Sequence, residues 1–82
     1  MRVEFELPDI GAEAGDKIVV AFWHVEEDEE FVEGSDLMEV STNNATFNIS
    51  APSTGKLIEI LAQEGDPVEP GDAIAIIDTE DN

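Results

Sequence analysis

Residues 37–50, Leu-Met-Glu-Val-Ser-Thr-Asn-Asn-Ala-Thr-Phe-Asn-Ile-Ser, constrain this chain more than any other stretch. A two-residue turn at Asn43-Asn44 sets Thr42 opposite Ala45, Ser41 opposite Thr46, Val40 opposite Phe47, Glu39 opposite Asn48 and Met38 opposite Ile49. Side chains alternate along a strand, so one face collects Met38, Val40, Ala45, Phe47 and Ile49. The other face collects Glu39, Ser41, Thr46 and Asn48. A slip of one residue mixes the two faces, so the pattern predicts a hairpin with its turn at Asn43-Asn44. Asparagine accepts positive φ more readily than any residue except glycine, which suits it to a tight corner. A hairpin of this kind ordinarily does no more than connect two strands.

An internal repeat extends the argument to the whole chain. Gly34 and Gly71 lie 37 residues apart. At that offset Trp23 meets Ile60, Phe31 meets Val68, Leu37 meets Ile74, Val40 meets Ile77 and Thr42 meets Thr79. Two related halves built of short strands predict an all-β sandwich or flattened barrel with pseudo-twofold symmetry. The first half puts the Asn43-Asn44 turn at its apex. The second puts Glu80-Asp81 at the matching point, where both ends of the chain should converge.

The remaining segments fit this scheme. Val3, Phe5 and Leu7 alternate with polar residues, as in a half-buried strand that ends at Pro8-Asp9-Ile10-Gly11. Residues 12–17 read as a surface loop. Residues 18–25 are rich in β-formers, with Trp23 in the core or as a lid over it. His24 lacks a second metal ligand nearby and is expected to be exposed or structurally satisfied. Five consecutive acids at 26–30 read as a solvated turn, since calcium-loop spacing and its central glycine are missing. Residues 31–36 lead into the hairpin, and 51–55 form a turn. Residues 56–61 alternate as a strand, and 64–67 and 70–72 are turns. The last strand is 73–77, and a polar tail follows.

Composition excludes several functions. Eighty-two residues make one domain, placed at 1–79, with 80–82 as a polar tail or linker stub. There is no cysteine and only one histidine, so neither a thiolate metal site nor a catalytic dyad is expected, and the chain reads as a non-enzyme. Three basic residues against 21 acidic ones give a net charge of −18. Nucleic acid and anionic membranes are therefore disfavoured, while a protein with a basic surface is an apt partner. No apolar run approaches the ~20 residues of a membrane span, and the N-terminus shows no apolar signal segment. A cytoplasmic, monomeric domain is expected. Asn44-Ala45-Thr46 and Asn48-Ile49-Ser50 are glycosylation sequons, set aside for want of a secretion signal.

Several of these residues carry a resemblance. Glu33-Gly34, Leu37, Glu39-Val40, Thr42, Ala45 and Ala51-Pro52 resemble the attachment motif of lipoyl domains, the swinging-arm carriers of 2-oxoacid dehydrogenase acyltransferases and cousins of biotinyl carriers. Leu7-Pro8-Asp9-Ile10-Gly11, Trp23, Val25, Gly55 and Glu64-Gly65-Asp66 extend it over nearly the whole chain. It implies a barrel-sandwich hybrid of two four-stranded sheets. It also implies oxoacid dehydrogenase components as partners, and recognition of the tip aided by the loop at 12–17. The family's tip is Thr-Asp-Lys-Ala, with lipoate on the lysine; here it is Thr42-Asn43-Asn44-Ala45. By the resemblance Asn44 stands at the lysine's position, and a carboxamide is not an acylation target. Lys17 and Lys56 are not expected at the apex. The resemblance also replaces the usual Gly-Asp of the acidic turn by Asp28-Glu29. Two functions follow: a carrier domain unmodifiable as it stands, without cofactor, or a docking module that keeps the fold without the arm.

Overall fold

The computed structural model describes residues 1–11 and 16–79, and these form two four-stranded antiparallel sheets. The strands are β1 (Arg2–Glu6), β2 (Ile18–Trp23), β3 (Glu30–Phe31), β4 (Asp36–Ser41), β5 (Thr46–Ser50), β6 (Gly55–Ile60), β7 (Pro67–Val68) and β8 (Ala73–Thr79). One sheet has the order β1-β8-β6-β3 and the other β5-β4-β2-β7. No helix among the described residues is long and apolar enough to cross a membrane. The expected sandwich with two related halves is therefore what the chain forms.

The 37-residue repeat is visible bond by bond. β2, β3 and β4 begin 37 residues before β6, β7 and β8. The Val20 N–H donates to Asp66 O at 2.9 Å, and the Leu57 N–H donates to Glu29 O at 2.9 Å. Asp28 N–H reaches Leu57 O at 2.6 Å, and Gly65 N–H reaches Val20 O at 2.8 Å. Even the irregularities repeat. The β2–β4 ladder shifts between Val20 and Phe22, and the β6–β8 ladder between Leu57 and Glu59. Each bulge inserts a residue and resets the alternation, so Val20 and Trp23 both point inward while Phe22 points out. Leu57 and Ile60 share the inside in the same way, which strict alternation over 56–61 did not anticipate.

Between the sheets lies a continuous apolar interior. Val20, Met38, Val40, Ile49 and Ile74 belong to one cluster, and Phe31, Leu37, Leu57, Ala75 and Ile77 to a second. Phe5 and Trp23 touch both groups. Burying each large aliphatic side chain contributes about 1.5–3 kcal/mol. Of the two roles expected of Trp23, core or lid, it takes the lid: the residue is half-buried, and Nε1–H donates to Ala62 O at 2.8 Å.

Three expectations need correction. The two-residue strands β3 and β7 were read as turn and lead-in residues, because two residues carry no periodicity. The last strand, expected at 73–77, runs on through Asp78 and Thr79 as β8: Thr79 N–H donates to Met1 O at 2.9 Å. The Met1 ammonium reaches Asp78 Oδ1 at 2.8 Å, so the ends of the fold do converge. Val3, expected half-buried, is exposed on the edge strand β1. Residues 12–15 and 80–82, which include most of the predicted loop and the predicted tail, lie outside the described residues.

Candidate functional site

The β4–β5 hairpin has the register its pattern predicts. Met38 pairs with Ile49, Glu39 with Asn48, Val40 with Phe47 and Ser41 with Thr46. Met38, Val40 and Ile49 are buried and Phe47 is half-buried, which anchors both strands to the core. Ala45, expected on this face, is exposed because it already belongs to the turn. Leu37 is buried as well, after a register shift between Asp36 and Met38.

The tip is a braced turn. Thr42 N–H donates to Ala45 O at 2.8 Å. The Thr42 hydroxyl accepts from the Asn44 and Ala45 N–H groups at 3.3 Å each, and lies 3.4 Å from Ala45 O. Asn43 and Asn44 both keep negative φ; the positive φ that was expected to suit asparagine here is not used. The hydroxyl instead takes the amides at the end of the turn, a local side-chain-to-backbone bond typical of threonine. Its sequence signal was a threonine placed two residues before the apex.

Asn43, Asn44 and Ala45 are exposed and Thr42 is half-buried. The core grips the strands, while the apex projects to where another protein can reach it. Its functional groups are two carboxamides, one hydroxyl and one methyl, none of them a primary amine. A group carried through an amide bond does not fit this tip. Lys17 precedes β2 at the same end of the sheet, where Val19 pairs with Ser41, but it lies outside the hairpin. Lys56 pairs with Glu30 and Asp78, close to the chain ends.

The other singled-out residues fall as follows. His24 is exposed, its ring centroid 5.1 Å from that of Phe22. The acids at 26–29 do form an exposed turn, whereas Glu30 already begins β3. Glu29 N–H donates to Glu26 O at 3.0 Å, and Glu29 Oε1 accepts from Glu26 N–H at 2.9 Å. Asp28 has φ 73°, and Gly65, its counterpart in the second half, has φ 89°. The turn geometry thus survives with aspartate in the left-handed position. The exposed ring of Phe22 was missed, because continuous β composition conceals a bulge.

A biotin/lipoyl family model, described as biotin-requiring enzyme, matches residues 3–77. The dihydrolipoyllysine-residue acetyltransferase component of the pyruvate dehydrogenase complex of Bacillus subtilis (strain 168) is 35% identical over 78 residues, 95% of this chain and 17% of that protein. The dihydrolipoyllysine-residue succinyltransferase component of the 2-oxoglutarate dehydrogenase complex of Bartonella vinsonii subsp. berkhoffii is 35% identical over 69 residues, 84% of this chain and 16% of that protein. The chain thus spans about a sixth of the length of these relatives. Among solved structures, a single-chain, multi-domain long-chain acyl-CoA carboxylase superposes with a TM-score of 0.77 at 15% identity, over 99% of this chain and 7% of that one. At that identity the likeness concerns the fold alone.

Proposed function

The chain belongs to the biotin/lipoyl family of small carrier domains, which have no catalytic site of their own, and we propose that it is a lipoyl-type domain whose Asn44 takes the place of the arm-bearing lysine. The observation that carries this reading is the hairpin register, which puts Asn44 at an exposed apex braced by Thr42. In a carrier the domain contributes position: a tethered group meets its partner sites at high effective concentration. Such a tip should be braced and left open, and the Thr42 bonds and the exposure of Asn43, Asn44 and Ala45 support this reading. Lipoate does not fit the tip as it stands, since Asn44 offers no ε-amine for the amide.

The partners in this reading are components of a 2-oxoacid dehydrogenase complex, with residues 1–79 as the carrier domain. The missing amine favours a second reading, a docking module that keeps the fold and has lost the arm. One experiment addresses both. The double change Asn43→Asp and Asn44→Lys alters two exposed turn residues, so its stability cost should stay within about 0.5 kcal/mol. Incubated with lipoyl ligase and lipoate, the double variant should gain the lipoyl mass in intact mass spectrometry, and the parent chain should not. Labelling of the parent would refute the assignment of Asn44. A folded double variant that stays bare would favour the docking module.

A further inference from the structure

On the outer face of the β5-β4-β2-β7 sheet, Phe22 lies in one row with Glu39 and Asn48, directly across the strands. Phe22 is 49% exposed, and His24 sits beside it with the rings tilted by 49°. An adjoining shallow groove of about 740 Å³ is lined by Trp23 and Ile60 and rimmed by Glu26, Glu27 and Glu64. Among the described residues no lysine or arginine lines it. The repeat supplies an internal control. The counterparts of Phe22 and His24 are Glu59 and Leu61, with Glu59 exposed at the matching place on the other sheet. The fold is therefore served by a polar residue at this position, and folding does not require the exposed ring.

We propose that the Phe22–His24 face is a docking surface for a basic segment of a partner protein, one that lays an arginine or lysine over the ring. The aromatic face attracts a cation, the carboxylates around it complete the pairing, and Trp23 and Ile60 accept the apolar part of the segment. The match is one of charge: a face of carboxylates and π-surface, on a chain with a net charge of −18, complements a cation flanked by apolar side chains. Glu39 lies three residues from Thr42 along β4, so this face sits about 10 Å below the tip. A partner held here leaves the tip open. This goes beyond the carrier reading and does not rest on it, because none of these residues is in the turn.

The probe is a blocked hexapeptide with two arginines and two leucines, compared with the same peptide carrying citrulline for arginine. Binding is followed by amide chemical shifts at 0.15 M salt, where diffuse attraction is screened beyond about 8 Å. The shifts should centre on Phe22, His24, Glu39 and Glu64. Phe22→Ser should weaken binding about two- to fivefold, the scale of an exposed cation–π contact. Val32→Ser, at another exposed apolar residue, should leave it unchanged. Phe22→Leu keeps apolar area without the ring and should lose the same factor; it serves equally if the serine variant does not fold. Shifts spread evenly over the acidic surface, with Phe22→Ser binding like the parent, would overturn the proposal in favour of a diffuse field. Equal binding of the citrulline peptide would overturn it in favour of a neutral apolar partner. Sedimentation showing a dimer that Phe22→Ser dissolves would overturn it in favour of a second copy.

Discussion

At the scale of single residues, two backbone positions decide more than their side chains suggest. Gly55 opens β6, paired with Phe31 on one side and Thr79 on the other. A Cβ there would overlap the carbonyl oxygen of Asp78. That oxygen belongs to a central strand and has no room to move aside. Gly55→Ala should therefore cost about 1–3 kcal/mol, the range for forcing atoms into a packed site. In thermal unfolding this is roughly 4–8 °C per kcal/mol for a domain of this size. An unchanged melting temperature would show that the strand yields easily. Asp28 is the opposite case. Its φ of 73° is one that L-residues adopt at a cost and glycine adopts freely. Asp28→Gly should raise the melting temperature by a few degrees even at 0.5 M salt, where loss of a charge matters little. Asp28→Asn, which removes the charge and keeps the Cβ, should gain less. Equal gains from both would mean that charge, not backbone strain, is the cost at this position.

At the scale of elements, the hairpin was legible because its pattern is one-sided: Met38, Val40, Phe47 and Ile49 must share a face, and a single register allows it. The bulges at Ala21 and Ile58 were not legible, since a β-rich run reads the same with or without an inserted residue. At the tip, residue types and exposure could be read, but the turn's mechanism could not. Asparagine suggested positive φ, whereas the Thr42 hydroxyl holds the turn without it. The pairing of the outer strand β1 with β8 ends in another contact hidden from the sequence. The hydrogen bond from the Met1 ammonium holds the Asp78 carboxyl below its ordinary value; partial desolvation opposes this, and the charges of Met1, Arg2 and Lys56 support it. A carboxylate whose folded pKa is depressed contributes stability above its unfolded pKa, about 4, and loses it as pH falls through the folded value. The stability difference between the parent and Asp78→Asn should hold from pH 7 to about 5, then shrink towards zero as pH drops below 4. Paired denaturant titrations at each pH would measure it. A difference that stays constant into acid would mean that the carboxylate charge contributes nothing at this strand end.

At the scale of the whole molecule, the 37-residue repeat carried the architecture, because equivalent strands need equivalent core residues and the sequence keeps them. Charge lay outside that logic. The fold buries no charged side chain among the described residues, so the acids are spread over a body of about 38 × 21 × 18 Å. At that size no carboxylate is much more than a few Debye lengths from any other, with about 10 Å per length at 0.1 M and about 30 Å at 0.01 M. At low salt the net charge of −18 therefore acts on itself across the whole domain and favours the expanded chain. The exposed ion pair of Met1 with Asp78 works in the other direction, but a pair open to solvent is weak and salt weakens it further. Repulsion among many charges outweighs one pair, so the melting temperature should rise as sodium chloride goes from 0.01 to 0.5 M. Most of the rise should come below 0.2 M, where the screening length shrinks past the domain's shorter dimensions. Potassium chloride should give the same curve, since screening depends on ionic strength and not on the identity of the cation. Scanning calorimetry across both series tests this, and a flat or falling curve would mean that the carboxylates are too dispersed to strain the fold.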